Sequence, residues 1–290
     1  MNHIDWRTTP ELADAMLIIA FEGWNDAGDA ASTALDYVAR RFDAEIVATI
    51  DPEPFFDFGS TRPMIRLREG GNRSIEWPEV SFSLLETEGR PLIVLSGPEP
   101  RLMWRTFCEQ VVEVAQRLGV TTAVSLGALL AEVHHAQPVS VFGASSDAEL
   151  TQRLGLRKST YSGPTGIVGV LQDALQRAGV ASMSLWASVP TYVPSSTSPK
   201  AALALVERLV EVIGIQLSAG DLQIAATRYE RQVDDILDDD DELADYAQQI
   251  LLSSVDDEDE DEMAESSFDL EDVDGDALIE DLENFLRDQP

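Results

Sequence analysis

The sequence predicts a layered α/β domain with a largely parallel central sheet, and three observations carry that prediction. Short apolar runs, many rich in β-branched residues, recur along residues 1–217 and read as strands buried on both faces. Amphipathic stretches of 12 to 18 residues alternate with them, as strand–helix–strand units require. The first run also leads into its helix through a polar turn, Phe21-Glu22-Gly23-Trp24-Asn25-Asp26-Ala27-Gly28-Asp29. In such a fold that turn lies at the carboxyl edge of the sheet, where ligands bind.

Taken in order, residues 15–20 form the first strand, and Leu35, Val38, Ala39 and Phe42 recur at helical spacing over 30–42. Asp26 is placed to cap that helix, Asp29 to favour its first turn, and Gly23 and Gly28 to turn the backbone tightly. Residues 44–50 are a second strand, ending in a proline-broken loop, 51–58, with three phenylalanines and three acids. The stretches 64–68 and 74–77 flank a turn signal and predict a hairpin that adds an antiparallel edge. Residues 80–87 and 91–95 are strands, the latter leading through Ser96-Gly97-Pro98-Glu99-Pro100 into a helix over 101–118. A strand at 121–126 follows, then apolar backbone of open type over 127–133 and a strand at 139–143. Ser146 caps a short helix, Gly163-Pro164-Thr165-Gly166 opens another that stops at Gly179, and 183–189 is the last core strand. Ser198 followed by Pro199 starts a helix to about residue 213.

Beyond the core, residues 218–253 read as a helical appendage, with Ser218 and Asp221 spaced as a capping box and apolar stripes through Tyr229 and Tyr246. Residues 254–275 are dominated by acids and predict a disordered linker. Residues 276–290 predict a short amphipathic helix whose stripe is Leu278, Ile279, Leu282, Phe285 and Leu286.

The 290-residue chain carries a net charge of −33, unevenly spread. Residues 234–290 hold 25 acids and one base, leaving residues 1–233 at −9. Both parts are repelled by nucleic-acid backbones and anionic membranes, which excludes those partner classes. No apolar run approaches the ~18 residues of a membrane span. Residues 1–14 lack the apolar segment of an export signal, and Cys108 stands alone, which predicts a reducing cytoplasm and a buried, inert thiol.

At Gly23-Trp24-Asn25-Asp26-Ala27-Gly28 the sequence resembles the proteasome assembly chaperone 2 family, in its bacterial, actinobacterial-type branch. Four further blocks follow in the family's order: residues 51–58; 96–100 with Trp104; 125–130; and 163–167 followed by 186–193. Together they span roughly 16–213. The resemblance implies a three-layer core similar to nucleoside phosphorylases and peptidyl-tRNA hydrolases, and homo-oligomers, with trimers preferred. It also implies a scaffold, since eukaryotic and archaeal relatives bind proteasome α-subunits, some through a hydrophobic–tyrosine–any-residue tail. This chain departs there, ending in Asp288-Gln289-Pro290.

The carboxyl edge supplies the candidate ligand pocket: Glu22, Gly23, Asn25, Asp26, Asp57, Arg101, Gly163 and Thr165. Its carboxylates suit acid–base work or Mg²⁺, or else capping, with Glu22 paired to an arginine such as Arg101. The glycine-rich helix entry, with Arg157, Lys158, Ser162 and Thr165 near it in sequence, suits an anion, or else close helix–sheet packing. The aromatics Trp24, Trp77, Trp104, Trp186 and Tyr192 read as core, while Phe55, Phe56 and Phe58 line a pocket or an interface, or join the core. His134 and His135 are adjacent and read as a surface or interface pair.

No phosphate-loop lysine, Gly-x-Ser-x-Gly elbow or Cys/His metal spacing occurs, and Asp272-Val273-Asp274-Gly275 fails as a calcium loop because Leu270 stands at position one. Catalytic, metal and cofactor residues are therefore none. Two functions stand: a non-enzymatic scaffold that presents the terminal stripe to a protein partner, or a protein that binds or transforms a nucleoside- or phosphate-type small molecule.

Overall fold

A computed structural model describes residues 3–68, 71–145, 148–156, 163–194 and 196–260. Two compact units divide the chain, Met1–Leu251 and Leu252–Pro290. The first opens with β1 (Ile4–Trp6) and β2 (Ala15–Glu22), then a single 3-10 turn (Ala27–Asp29), α1 (Ala30–Arg41) and β3 (Glu45–Ile50). Next come β4 (Met64–Leu67), β5 (Arg73–Glu76), β6 (Val80–Leu85), β7 (Leu92–Pro98), α2 (Trp104–Arg117) and β8 (Val120–Ala131). After these follow β9 (Val141–Ser145), α3 (Ala148–Leu154), α4 (Ile167–Arg177), β10 (Ala181–Pro190), α5 (Pro199–Ile213) and α6 (Gly220–Asp238). The last helix, α7 (Asp241–Glu260), crosses the unit boundary, and beyond Leu251 its backbone is helical to Glu260. The terminal stripe from Leu278 to Leu286 lies outside the described residues, as do Arg157, Lys158 and Ser162.

The sheet runs β1-β3-β6-β7-β2-β8-β10-β9. Its centre, β7-β2-β8-β10, is parallel, and antiparallel pairings extend it on both sides. The apolar run of β2 explains its central place, because alternate residues serve opposite layers. Leu17, Ile19 and Phe21 join the core beneath α2 and α4, while Met16, Ile18 and Ala20 join the core beneath α1 and α5. The predicted α/β class and its helix–sheet–helix layers are thus present. A smaller core gathers Tyr192, Val193, Tyr229 and Val233 with Ala247 and Ile250 of α7.

Several expectations are corrected. The hairpin β4–β5 adds no edge to the main sheet but stands as a separate two-stranded sheet. The antiparallel edge beside β3 comes instead from β1, too short to register by pattern. The open backbone after residue 126 continues β8 to Ala131, paired along its length with β10. Ser218 and Asp221 form no capping box: α6 starts at Gly220 without a side-chain cap, and Asp221 pairs instead with Arg41 at 2.7 Å and with the Tyr37 hydroxyl. His135 is buried, its Nε2 2.9 Å from an Asp234 oxygen of α6 and its Nδ1 2.8 Å from the Tyr192 hydroxyl. Cys108 is buried as expected, and desolvation first, with Asp173 and Glu109 nearby, pushes its thiol up to about 12.

Candidate functional site

The loop leaving β2 is built by its own polar groups. Asp26 Oδ1 accepts the N–H groups of Ala31 (2.6 Å) and Ser32 (3.2 Å), satisfying the first donors of α1 across the intervening 3-10 turn. Asp26 is therefore the cap the sequence predicts, reaching further than expected, whereas Asp29 makes no side-chain cap and sits in the left-handed region at φ 50°. Gly28 shares that region at φ 59°, and a Cβ there would meet Ser198 at 2.9 Å, so the turn presses directly on the start of α5.

Asp26 is 4% exposed, and its second oxygen, Oδ2, has no hydrogen-bond partner among the described residues. Desolvation outweighs the hydrogen bonds from Ser32 and Ala31 and raises its carboxyl above the ordinary 3.8. Because the folded state holds the proton more tightly, the unfolded chain binds fewer protons between the two values, and stability falls as pH rises through that window. Asp26→Asn keeps the Oδ1 acceptor and removes the titration. Its stability relative to the wild type should therefore increase from about pH 4 upward and then level off, in urea denaturation across that range. Asp26→Ala should instead lose the cap, about 1 kcal/mol.

Asn25, 3% exposed, is held on both sides. Its carbonyl accepts the Ala128 N–H at 2.9 Å, and its Nδ2 donates to Glu99 Oε1 at 3.0 Å. The same Glu99 oxygen accepts the N–H of Ile167, the first residue of α4, at 3.2 Å. Gly166 lets this happen: a Cβ there would lie 2.6 Å from Asn25 Oδ1 and 2.9 Å from Nδ2. The glycine-rich entry thus serves close packing, and the anion at the N-terminus of α4 is the chain's own carboxylate.

Glu22, exposed at the end of β2, borders a cleft of about 290 Å³ with Asp36, Glu79, Ser32, Ser81 and Ser96. Partial burial, then Asp26, Asp36 and Asp29, raise the Glu22 carboxyl above its ordinary value. Among the described residues Glu22 forms no ion pair with Arg101, which is exposed and joins the site through its backbone N–H to Phe55 O at 2.8 Å. Asp57 is turned to its own loop, Oδ1 accepting Gly59 N–H at 2.8 Å. Gly163 and Thr165 are exposed ahead of α4. The structure therefore brings Asn25 to the entry of α4, leaves Asp57 on the loop between β3 and β4 and Arg101 on the loop between β7 and α2, and adds Glu99, which the pocket reading missed. Its signal was its place between Pro98 and Pro100 in a block already singled out.

Phe55 and Phe56 belong to the core at 0% and 3% exposure, while Trp24 is 73% exposed at the carboxyl edge, contrary to its core assignment. Trp77, 52% exposed, is corrected likewise. Among the described residues no group of three or more His, Cys, Asp or Glu side chains is arranged to hold a metal ion, and no helix is long and apolar enough to cross a membrane.

A PAC2 family protein of Streptomyces avermitilis is 43% identical, with a TM-score of 0.75, covering 80% of this chain and 99% of its own. A Mycobacterium tuberculosis protein described as a proteasome-assembly chaperone homologue is 39% identical, with a TM-score of 0.72 and the same coverage. A second M. tuberculosis protein, of unknown function, is 26% identical with a TM-score of 0.79, over 90% of this chain and 91% of its own. No curated protein matches. The model of the PAC2 family matches residues 20–237, three quarters of the sequence, and the chain belongs to that family.

Proposed function

We propose that the chain is a non-enzymatic, protein-binding scaffold of assembly-chaperone type, acting as a homo-oligomer, preferentially a trimer, in the cytoplasm. The observation that carries this reading is the closed entry of α4, where Glu99 occupies the position a phosphate or carboxylate ligand would take. The cleft beside it is lined by Glu22, Asp36 and Glu79, which repel a phosphate. Both features disfavour the small-molecule alternative. The 39% identity to a protein described as a proteasome-assembly chaperone homologue supports the same direction.

In this reading residues 276–290 form the helix that presents Leu278, Ile279, Leu282, Phe285 and Leu286 to a protein partner, on the acidic linker 254–275. Surrounding acids would steer basic partners toward it. The test is a pull-down from native lysate with the full chain and with one ending at Ser253. Stoichiometric partners recovered only by the full chain are expected. Equal recovery by both removes the tail's role, and recovery of nothing but the chain's own copies contradicts the scaffold.

A further inference from the structure

The hairpin β4–β5 has one bare apolar face. Its register sets Ile65 opposite Ile75 and Leu67 opposite Arg73, so Ile65, Leu67, Ile75 and the following Trp77 share a side with the single charge of Arg73. They are 62%, 74%, 59% and 52% exposed. The opposite side carries Met64, Arg66, Ser74 and Glu76, with Arg66 and Glu76 paired at 3.0 Å. The ribbon is anchored at its base, where Trp77 meets Phe58 at 4.8 Å between ring centres. A two-stranded ribbon is at best marginally stable alone in water, and a contiguous apolar face of this kind marks an interaction surface.

Charge identifies the occupant. Residues 62–77 carry four arginines against two glutamates, on a body whose first 233 residues are net negative by nine. A basic ribbon on an acidic chain is complementary to the surface of another copy. Stacking two ribbons face to face would instead bring like charges together. The complementary surface is the cleft of Glu22, Asp36 and Glu79, with exposed Trp24 two residues beyond Glu22 as an apolar counterpart.

We infer that the β4–β5 hairpin is an oligomerisation arm that docks on the acidic carboxyl-edge cleft of a second copy, a head-to-tail contact of the kind that closes into a ring. This rests on the homo-oligomeric part of the proposed function.

Sedimentation velocity on the full chain, over a wide concentration range, tests it. The wild type should sediment as a closed oligomer. Ile65→Glu with Ile75→Glu should raise the dissociation constant about 100-fold while leaving the far-ultraviolet circular dichroism spectrum of the folded chain unchanged. Arg68→Glu with Arg73→Glu, which touches only exposed arginines, carries the same test if the apolar pair perturbs folding. Adding Glu22→Arg and Asp36→Arg to that arginine variant should restore association. A wild type that is monomeric throughout overturns both the oligomer and the arm. An oligomer unaffected by either arm variant overturns the arm alone, and a combined variant that stays dissociated overturns the cleft as its seat.

Discussion

Phe55→Ala should lower the stability of the chain by about 4 kcal/mol, the range of a large aromatic removed from a closed core. Phe55 is fully buried, edge-on to Phe107 at 5.4 Å and to His3 at 5.5 Å. The backbone adds a second consequence. Phe55 O accepts the N–H groups of Arg101 (2.8 Å) and Leu102 (3.1 Å), so the loop fixes the segment that carries Glu99. The denaturation midpoint should fall, and amide exchange at Ile167 should quicken more than in the rest of α4. A loss below about 1 kcal/mol would mean the loop is not part of the core.

Gly166→Ala should be the next most damaging change, at about 3 kcal/mol, combining overpacking with a displaced buried amide. The new methyl carbon would enter the Asn25 amide and sit 3.1 Å from the Trp24 ring. At φ −85° the backbone itself accepts alanine, so the penalty comes from the neighbour and not from strain. A double-mutant cycle separates the two. Asn25→Ala removes the obstructing amide, so the pair should be destabilised by less than the sum of the single changes. Strict additivity would show that Gly166 does not meet Asn25.

What the sequence made legible was local. The unbroken apolar run of β2 announced a strand buried on both faces, and Asp26 announced the cap of α1, because both signals lie within one element and its flank. Ser198 with Pro199 did the same for α5, the Ser198 hydroxyl accepting the Ala201 N–H at 3.3 Å. The rest depended on distant partners. Glu99 reaches Asn25 across 74 positions, and His135 meets Asp234, 99 positions away, so neither role has a local pattern. Trp24 reads as core by composition, but a residue in a turn obeys no periodicity, and its exposure follows from where the turn points. The hairpin was legible as a hairpin, yet pairing of β3 with β6 leaves it no place in the main sheet.

A melting-temperature series decides most directly whether the carboxyl edge is closed by Glu99 or open to a ligand. Wild type and Glu99→Ala would each be heated with inorganic phosphate, acetate, nucleosides and nucleotides. The wild type should not respond, and Glu99→Ala should lose about 2 kcal/mol from two bonds to one carboxylate oxygen. Phosphate or acetate should partly restore that variant by taking the vacated helix terminus. A melting temperature that rises for the wild type contradicts the closed edge, since a ligand at about 100 times its dissociation constant contributes roughly 2.7 kcal/mol.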